Sequence, residues 1–180
     1  MLHFHKRKNQ MDIGQVYFYT QTIFEFHQLL AQEHFKFCII TCLKSLKQRG
    51  LIDIYGFVIM PNHLHLIWKV NKVDGKEKAP QILTKRSAHL FKKLLLDHPQ
   101  QLAKFAVVAN DRKYCFWKRD PLAISLTSEK AFLQKLDYIH NNPLQTHWNL
   151  ADLPEQYRWS SARFYDDGFD EFQLLTHYRD

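Results

Sequence analysis

The hydrophobic positions of the chain fall into short runs with two different periods, which predict an alternation of strands and helices. Runs rich in aromatic and β-branched residues predict strands over residues 15–23, 52–60, 63–70 and 116–125. Apolar residues at helical spacing predict helices over residues 26–49, 81–96 and 128–142. Pro61 and Asn62 between the second and third strands are typical turn residues, so these two strands should form a hairpin.

This order of elements predicts the fold class. The predicted order is strand, helix, strand, strand, helix, strand, helix. This order matches the split βαβ, or ferredoxin-like, plan, an α+β fold with an antiparallel sheet of four to five strands and helices packed on it. Residues 97–115 give no clear pattern, although FAVVA near Phe105 could be a short strand or a helix end. We expect one domain over residues 15–165, a basic N-terminal arm over 1–14 and an acidic tail over 166–180.

Two histidines separated by one leucine open the third predicted strand. His63 and His65 share a face of an extended strand, because successive side chains point to opposite faces. Polar groups on a half-buried face require a partner, and one metal ion could bind both imidazoles. On the last predicted helix, Tyr138 and Asn142 are four residues apart and also share a face. If that helix packs beside the hairpin, the two histidines and the Asn142 amide could bind a divalent ion with Tyr138 alongside it.

Such a site could act on phosphodiesters. A tyrosine hydroxyl has an unperturbed pKa of about 10 and is a weak nucleophile at neutral pH, so it needs help from a nearby metal ion. Attack by Tyr138 would give a covalent 5′-phosphotyrosine, which a 3′ hydroxyl can later reverse. Strand transfer needs this reversibility, whereas simple hydrolysis does not.

Three motifs carry a resemblance to a known family. The sequences VIMPNHLHLI, LDYIHNNP and YRWSSAR occur in this order and resemble those of the IS200-like single-tyrosine transposases, especially the REP-associated tyrosine transposase branch, over about residues 15–165. The resemblance implies an HUH endonuclease fold in which His63, His65 and Asn142 bind the metal and Tyr138 is the nucleophile. It also implies Mg²⁺ or Mn²⁺, cleavage and rejoining of single-stranded DNA beside a hairpin, and a monomer rather than a dimer.

The charge distribution agrees with a nucleic-acid partner. The chain has a formal charge of +7, and its last thirty residues hold seven acidic residues against three arginines, so the positive charge lies in the body of the chain. A solvated lysine-rich surface is the alternative. Trp117, Trp148 and Trp159 are candidates for base stacking, although core packing explains each of them better. The candidate DNA contacts are Lys6, Arg7, Lys8, Lys85, Arg86, Lys92, Lys93, Arg112, Lys113, Lys118 and Arg119.

Two other functions stay open from the sequence. The first is a domesticated DNA-binding protein that recognises a sequence or hairpin without transposition. The second is a structural zinc or metallohydrolase site formed by His63, His65 and one of His89, His140 or His147, which no spacing supports. Three cysteines cannot all pair, and no apolar run reaches the roughly 20 residues of a membrane span, so we expect a cytoplasmic protein without a membrane segment.

Overall fold

Four antiparallel strands form one sheet. The computed structural model describes residues 11–180, so the predicted contacts Lys6, Arg7 and Lys8 lie outside the described residues. The sheet has the order β2-β3-β1-β4, which confirms the predicted ferredoxin-like plan. The strands are β1 (Val16–Thr22), β2 (Ile52–Ile59), β3 (His63–Val70) and β4 (Leu122–Ser125).

Five α-helices accompany the sheet in the described part of the chain. They are α1 (Glu33–Gln48), α2 (Ala79–Leu95), α3 (Pro99–Ala103), α4 (Glu129–Asn141) and α5 (Ala162–Asp167). Short 3₁₀ turns cover Phe24–Phe26, Leu29–Ala31, Asn142–Leu144 and Pro154–Gln156. No helix among residues 11–180 is both long enough and apolar enough to cross a membrane.

Two predicted elements are shorter than expected. The first helix begins at Glu33 and not at Phe26, because Phe26 has a φ of 57° and Gln32 is extended, so the chain can only start a regular helix after them. The last strand begins at Leu122, directly after Pro121, which cannot donate a ladder hydrogen bond. In the segment without a clear pattern, Pro99 opens the short helix α3.

Helices pack on both faces of the sheet. Tyr19 and Gln21 of β1 point to the face that α2 covers, where they line a cleft with Thr84. The alternate residues point to the other face, where the side chains of Leu136 and Ile139 from α4 approach Gly56 of β2. The candidate histidines lie on this second face, because Thr20 and His65 are cross-strand partners.

Local sequence explains why α4 forms and where it packs. The hydroxyl of Ser128 accepts a hydrogen bond from the Ala131 backbone N–H, which caps the first turn. Phe132, Leu136 and Ile139 recur at helical spacing and are all buried, so one apolar stripe holds the helix on the sheet. The same orientation leaves Tyr138 facing the strand that carries the histidines.

The acidic C-terminal residues also contribute to the core. Phe172 and Leu174 are buried, and the backbone N–H of Thr176 donates to the carbonyl of Ile54 in β2 at 2.8 Å. Residues 166–180, which we expected as an acidic tail, therefore lie against the edge of the sheet. The charged side chains of this segment, such as Glu171, remain at the surface.

Candidate metal and tyrosine site

His63 and His65 lie side by side at the start of β3. Their ring centroids are 4.7 Å apart, and β1 places Thr22 and Thr20 opposite them. His65 is 5% exposed, whereas His63 is only partly buried. The two imidazoles thus occupy one face of the sheet, as the sequence predicted, with the deeper ring toward the middle of the strand.

Hydrogen bonds orient both rings through the same nitrogen. The Nδ1 atom of His65 is 2.7 Å from Thr20 Oγ1, and the Nδ1 atom of His63 is 2.7 Å from Asn62 Oδ1. The Asn62 amide nitrogen donates to the carbonyl of Phe26, so its Oδ1 atom accepts from His63. The Nε2 lone pair of His63 is then left for a ligand, and the Thr20 hydroxyl allows the same tautomer at His65.

Tyr138 reaches the histidines from α4. Its ring centroid is 5.5 Å from that of His65 and 5.9 Å from that of Phe18. The Tyr138 side chain is 41% exposed, so a substrate in solution can reach its hydroxyl. Asn142 follows one turn later with helical backbone angles and is 2% exposed. The helix and the turn after it therefore carry an accessible tyrosine and a buried amide one helical turn apart.

Two buried polar atoms mark where a ligand could bind. Among the described residues, neither His65 Nε2 nor Asn142 Oδ1 has a hydrogen-bond partner. Leaving such an atom buried and unpaired costs about 1–3 kcal/mol, so native proteins rarely do it without a reason. An imidazole nitrogen and an amide oxygen are both metal ligands, and the donor set His63, His65 and Asn142 fits a divalent ion.

Electrostatics keep the two imidazoles neutral. Burial, with a smaller effect of His147, lowers the pKa of His63 to about 4. Burial also lowers the pKa of His65 to about 3, with further effects of His63 and Lys135. Neutral imidazole is the form that binds a metal, so both side chains are ready to act as ligands at neutral pH.

The structure adds residues to the site that the sequence reasoning did not find. Lys135 is one turn before Tyr138 on α4, and its Nζ lies 5.4 Å from the centre of the Tyr138 ring and 4.7 Å from that of Phe18. Its i, i+3 spacing from Tyr138 could have identified it. Thr20 could be found only from the β1–β3 register, which the sequence does not contain.

The predicted DNA contacts lie on the other face of the sheet or at its edge. Lys85, Arg112, Lys118 and Arg119 line a cleft of 440 Å³ between α2 and the segment before β4, and Lys78 joins them. The remaining four are more scattered. Lys92 and Lys113 line an adjacent cleft, Arg86 donates to Ser45 of α1, and Lys93 is exposed on α2.

The structure separates the three tryptophans from one another and does not group the ligands of the alternative zinc site. Trp117 and Trp159 are buried in the core, while the half-buried Trp148 lies 6.0 Å from His63 between ring centroids. Within residues 11–180, no three His, Cys, Asp or Glu side chains are grouped closely enough to hold a metal. A zinc site of the proposed alternative kind therefore receives no support.

Comparisons with known proteins bear on the fold. A solved structure of a REP-associated tyrosine transposase bound to a REP hairpin superposes on 100% of this chain and 94% of its own, with a TM-score of 0.64 and 17% identity. At this identity the similarity shows the fold, and it confirms the fold that the motifs predicted. A structure from Deinococcus radiodurans that is described only as a candidate transposase covers 76% of this chain and 97% of its own, at a TM-score of 0.44 and 17% identity, too distant to bear on the fold.

One curated sequence is also similar. An uncharacterised protein of Haemophilus influenzae is 30% identical over 100 residues, which cover 52% of this chain and 55% of that protein. The chain thus spans about half the length of this relative. No protein-family model matches the chain.

Proposed function

We propose that the chain is a REP-associated member of the IS200-like single-tyrosine transposases. In this proposal it cleaves and rejoins single-stranded DNA through a covalent link to Tyr138, with His63, His65 and Asn142 holding one divalent ion. The observation that carries the proposal is the pair of buried, unpartnered atoms, His65 Nε2 and Asn142 Oδ1, in a site whose accessible tyrosine ring lies 5.5 Å from His65.

The donor set favours Mg²⁺ or Mn²⁺. Two imidazoles make the site softer than the all-oxygen sites that Mg²⁺ prefers, so Mn²⁺ should bind more tightly in vitro. A bound ion would supply positive charge beside the phosphate of the substrate. Thr20 and Asn62 hold the imidazoles with their Nε2 atoms free, which reduces the reorganisation required when the ion binds.

The chain's own residues account for the transfer step. The Tyr138 hydroxyl loses its proton and its oxygen attacks the phosphorus, and the bond from phosphorus to the 3′ oxygen breaks. The leaving 3′ oxygen takes up one proton and becomes a 3′ hydroxyl, so no net proton is gained or lost. The DNA is then attached to Tyr138 through its 5′ phosphate. Lys135 is placed to stabilise negative charge on the phenolate or the phosphate, because its ammonium lies 5.4 Å from the Tyr138 ring.

Tyr138 lies beside the candidate histidines of its own chain, and we propose on this basis a monomeric enzyme that acts in cis. Tyr138 and both histidines belong to the same domain, and the apolar stripe of α4 is buried against its own sheet. The basic cleft that includes Lys85 and Lys118 lies at the β4 side of the sheet, away from Tyr138. We propose that this cleft contacts phosphates remote from the cut, such as those of a hairpin stem.

Covalent capture tests the proposed function. The protein is incubated with DNA hairpins that carry single-stranded flanks, in the presence of Mn²⁺, and a denaturing gel is used to detect protein shifted by attached DNA. The Tyr138→Phe variant should abolish the shifted band, and His63→Ala should weaken it. Tyr178→Phe is the matched control, because it removes a hydroxyl from another partly exposed tyrosine and should leave the band unchanged.

A band that persists in Tyr138→Phe would show that another residue is the nucleophile. Hairpin binding without any adduct under any divalent ion would instead support a DNA-binding protein that does not cut.

A further inference from the structure

Phe26 combines an exposed aromatic ring with a strained backbone. The side chain is 57% exposed, and the φ angles of Glu25 and Phe26 are 51° and 57°, in the left-handed region that bulky residues avoid. The rest of the structure must hold such a pair in place, because each residue loses free energy in this conformation. Both the left-handed backbone and the exposure of an apolar ring to water raise the free energy of the folded protein. A segment that combines them is therefore a candidate for a binding role.

Hydrogen bonds connect this segment to the candidate metal ligands. The carbonyl of Phe26 accepts from the Asn62 amide at 3.3 Å, and Asn62 Oδ1 accepts from His63 at 2.7 Å. The backbone N–H of Ile23 also donates to the Asn62 carbonyl at 2.8 Å. Phe26 is therefore fixed to the end of β1 where His63 lies, two hydrogen bonds from that imidazole.

A cation lies against the same ring. The Nζ atom of Lys118 is 4.9 Å from the centre of the Phe26 ring, and the Lys118 backbone N–H donates to the Thr22 carbonyl at 2.8 Å. Thr22 pairs with His63 across the sheet. An exposed aromatic ring with an ammonium over it matches one nucleotide, since the lysine can turn from the ring to neutralise a phosphate while a base stacks on the ring.

We propose that Phe26 and Lys118 form a subsite for one unpaired nucleotide of the DNA, where the basic cleft meets the end of β1 that pairs with His63. The inference rests on the proposed function, and it assigns to Phe26 the stacking of a base and to Lys118 a phosphate contact. Because every base has a π face, this subsite would hold the strand in register without selecting one base.

The chain offers a matched control for an exposed phenylalanine. Phe169 is 48% exposed and lies 4.3 Å from the Arg163 guanidinium, so it also combines a ring with a cation. It follows α5, and no hydrogen bond of the described residues joins it to either candidate histidine. A general effect of removing surface aromatic area would appear equally in Phe26→Ala and Phe169→Ala.

The test compares binding of two DNA probes in EDTA, so that no strand is cut. Both probes are hairpins with a single-stranded flank of about six nucleotides, and in one of them the flank bases are replaced by abasic sites, which leaves the phosphates in place. We expect wild type and Phe26→Trp to bind the intact flank more tightly than the abasic one. Phe26→Ala should lose about 5- to 150-fold in affinity for the intact flank and little for the abasic flank.

Three further results bear on the inference. Phe169→Ala should keep the preference for the intact flank, and Lys118→Gln should weaken binding to both probes. Phe26→Gly should lose the preference and also unfold at a higher temperature, because glycine relieves the left-handed strain. The inference would be overturned if Phe26→Ala kept the wild-type preference, or if wild type showed none.

Failure of this inference is distinct from failure of the proposed function. A wild-type protein that forms the covalent adduct but binds intact and abasic flanks equally would refute the role of Phe26 alone. A protein without any adduct, whose preference for intact flanks still depends on Phe26, would refute the cleavage function and retain the subsite.

Discussion

Substituting Gly56 by alanine should lower the stability of the fold modestly and the rate of adduct formation strongly. Gly56 lies in β2 at the bulge, directly beneath α4. A Cβ atom built at this position would lie 2.8 Å from Leu136 Cδ1 and 3.1 Å from Ile139 Cδ1. Gly56 does not have a positive φ, so alanine adds no backbone strain there and its effect comes from the contact with α4.

The size of the expected effect follows from these distances. Carbon atoms in contact are separated by about 3.5–4.0 Å, so relief of the overlap requires the Leu136 Cδ1 methyl group to move by about 1 Å. Overpacking of this kind costs about 1–3 kcal/mol, and the conformational advantage of alanine over glycine in a strand offsets about 0.5–1 kcal/mol. We expect a net loss of about 1–2 kcal/mol, which lowers the unfolding temperature by about 2–8 °C.

The same displacement should have a larger effect on chemistry. Tyr138 and Asn142 follow the backbone of α4, so they move by the part of the displacement that rotation of the buried Leu136 side chain does not absorb, whereas the histidines stay on β3. A misplacement of about 1 Å can lower the rate of a chemical step about 100-fold. The assay is the rate of adduct formation with Mn²⁺ and hairpin DNA, measured beside DNA affinity and urea unfolding. Affinity for DNA should change little, because the basic cleft is on the other face.

A second substitution provides the control. Leu136→Val removes the methyl group that overlaps with the new Cβ, so the double variant should recover part of the rate and of the stability. The reasoning would be refuted if Gly56→Ala formed adduct at the wild-type rate with wild-type stability, because α4 would then not be held by this contact.

Three other substitutions or conditions give sharp expectations. Thr20→Val removes the hydroxyl beside His65 Nδ1 and should weaken Mn²⁺ binding about 10- to 100-fold by calorimetry, whereas Thr22→Val should not. Saturating Mn²⁺ at about 100 times its Kd should stabilise wild type by about 2.7 kcal/mol in urea unfolding, and His65→Ala should abolish this gain. Burial lowers the pKa of His140 from 6.5 to about 4, so its contribution to stability is complete above pH 6.5 and is lost as the pH falls toward 4. The loss amounts to about 3 kcal/mol, and unfolding of His140→Gln should depend less on pH over this range.

Much of the fold could be predicted because its elements obey simple periods. The third strand was predicted with the bounds His63–Val70 that it has in the structure, since the turn residues Pro61 and Asn62 fix its start. The first helix was predicted to begin seven residues too early. Phe26 has a left-handed backbone conformation, and its carbonyl accepts a hydrogen bond from the distant Asn62 side chain, which no local pattern encodes.

The proximity of the two halves of the site was a conditional prediction. The sequence placed His63 and His65 on one face of a strand, and Tyr138 and Asn142 on one face of a helix. The distance of 5.5 Å between the rings of His65 and Tyr138 agrees with packing of that helix beside the hairpin. The roles of these residues stay a proposal. The sequence also could not show that the basic residues lie beyond the opposite face of the sheet, because their position depends on how α2 crosses the sheet.

The most direct measurement is the identity of the residue that carries DNA after reaction. Adduct formed with Mn²⁺ and a hairpin is digested with nuclease and trypsin, and mass spectrometry locates the nucleotide in the peptide of residues 136–158, which contains Tyr138 and Tyr157. The account predicts a 5′-phosphate link to Tyr138, lost when the metal is chelated or when His65 is replaced by alanine. A link to Tyr157 or to any other residue, or an adduct that forms equally well in EDTA, would contradict it.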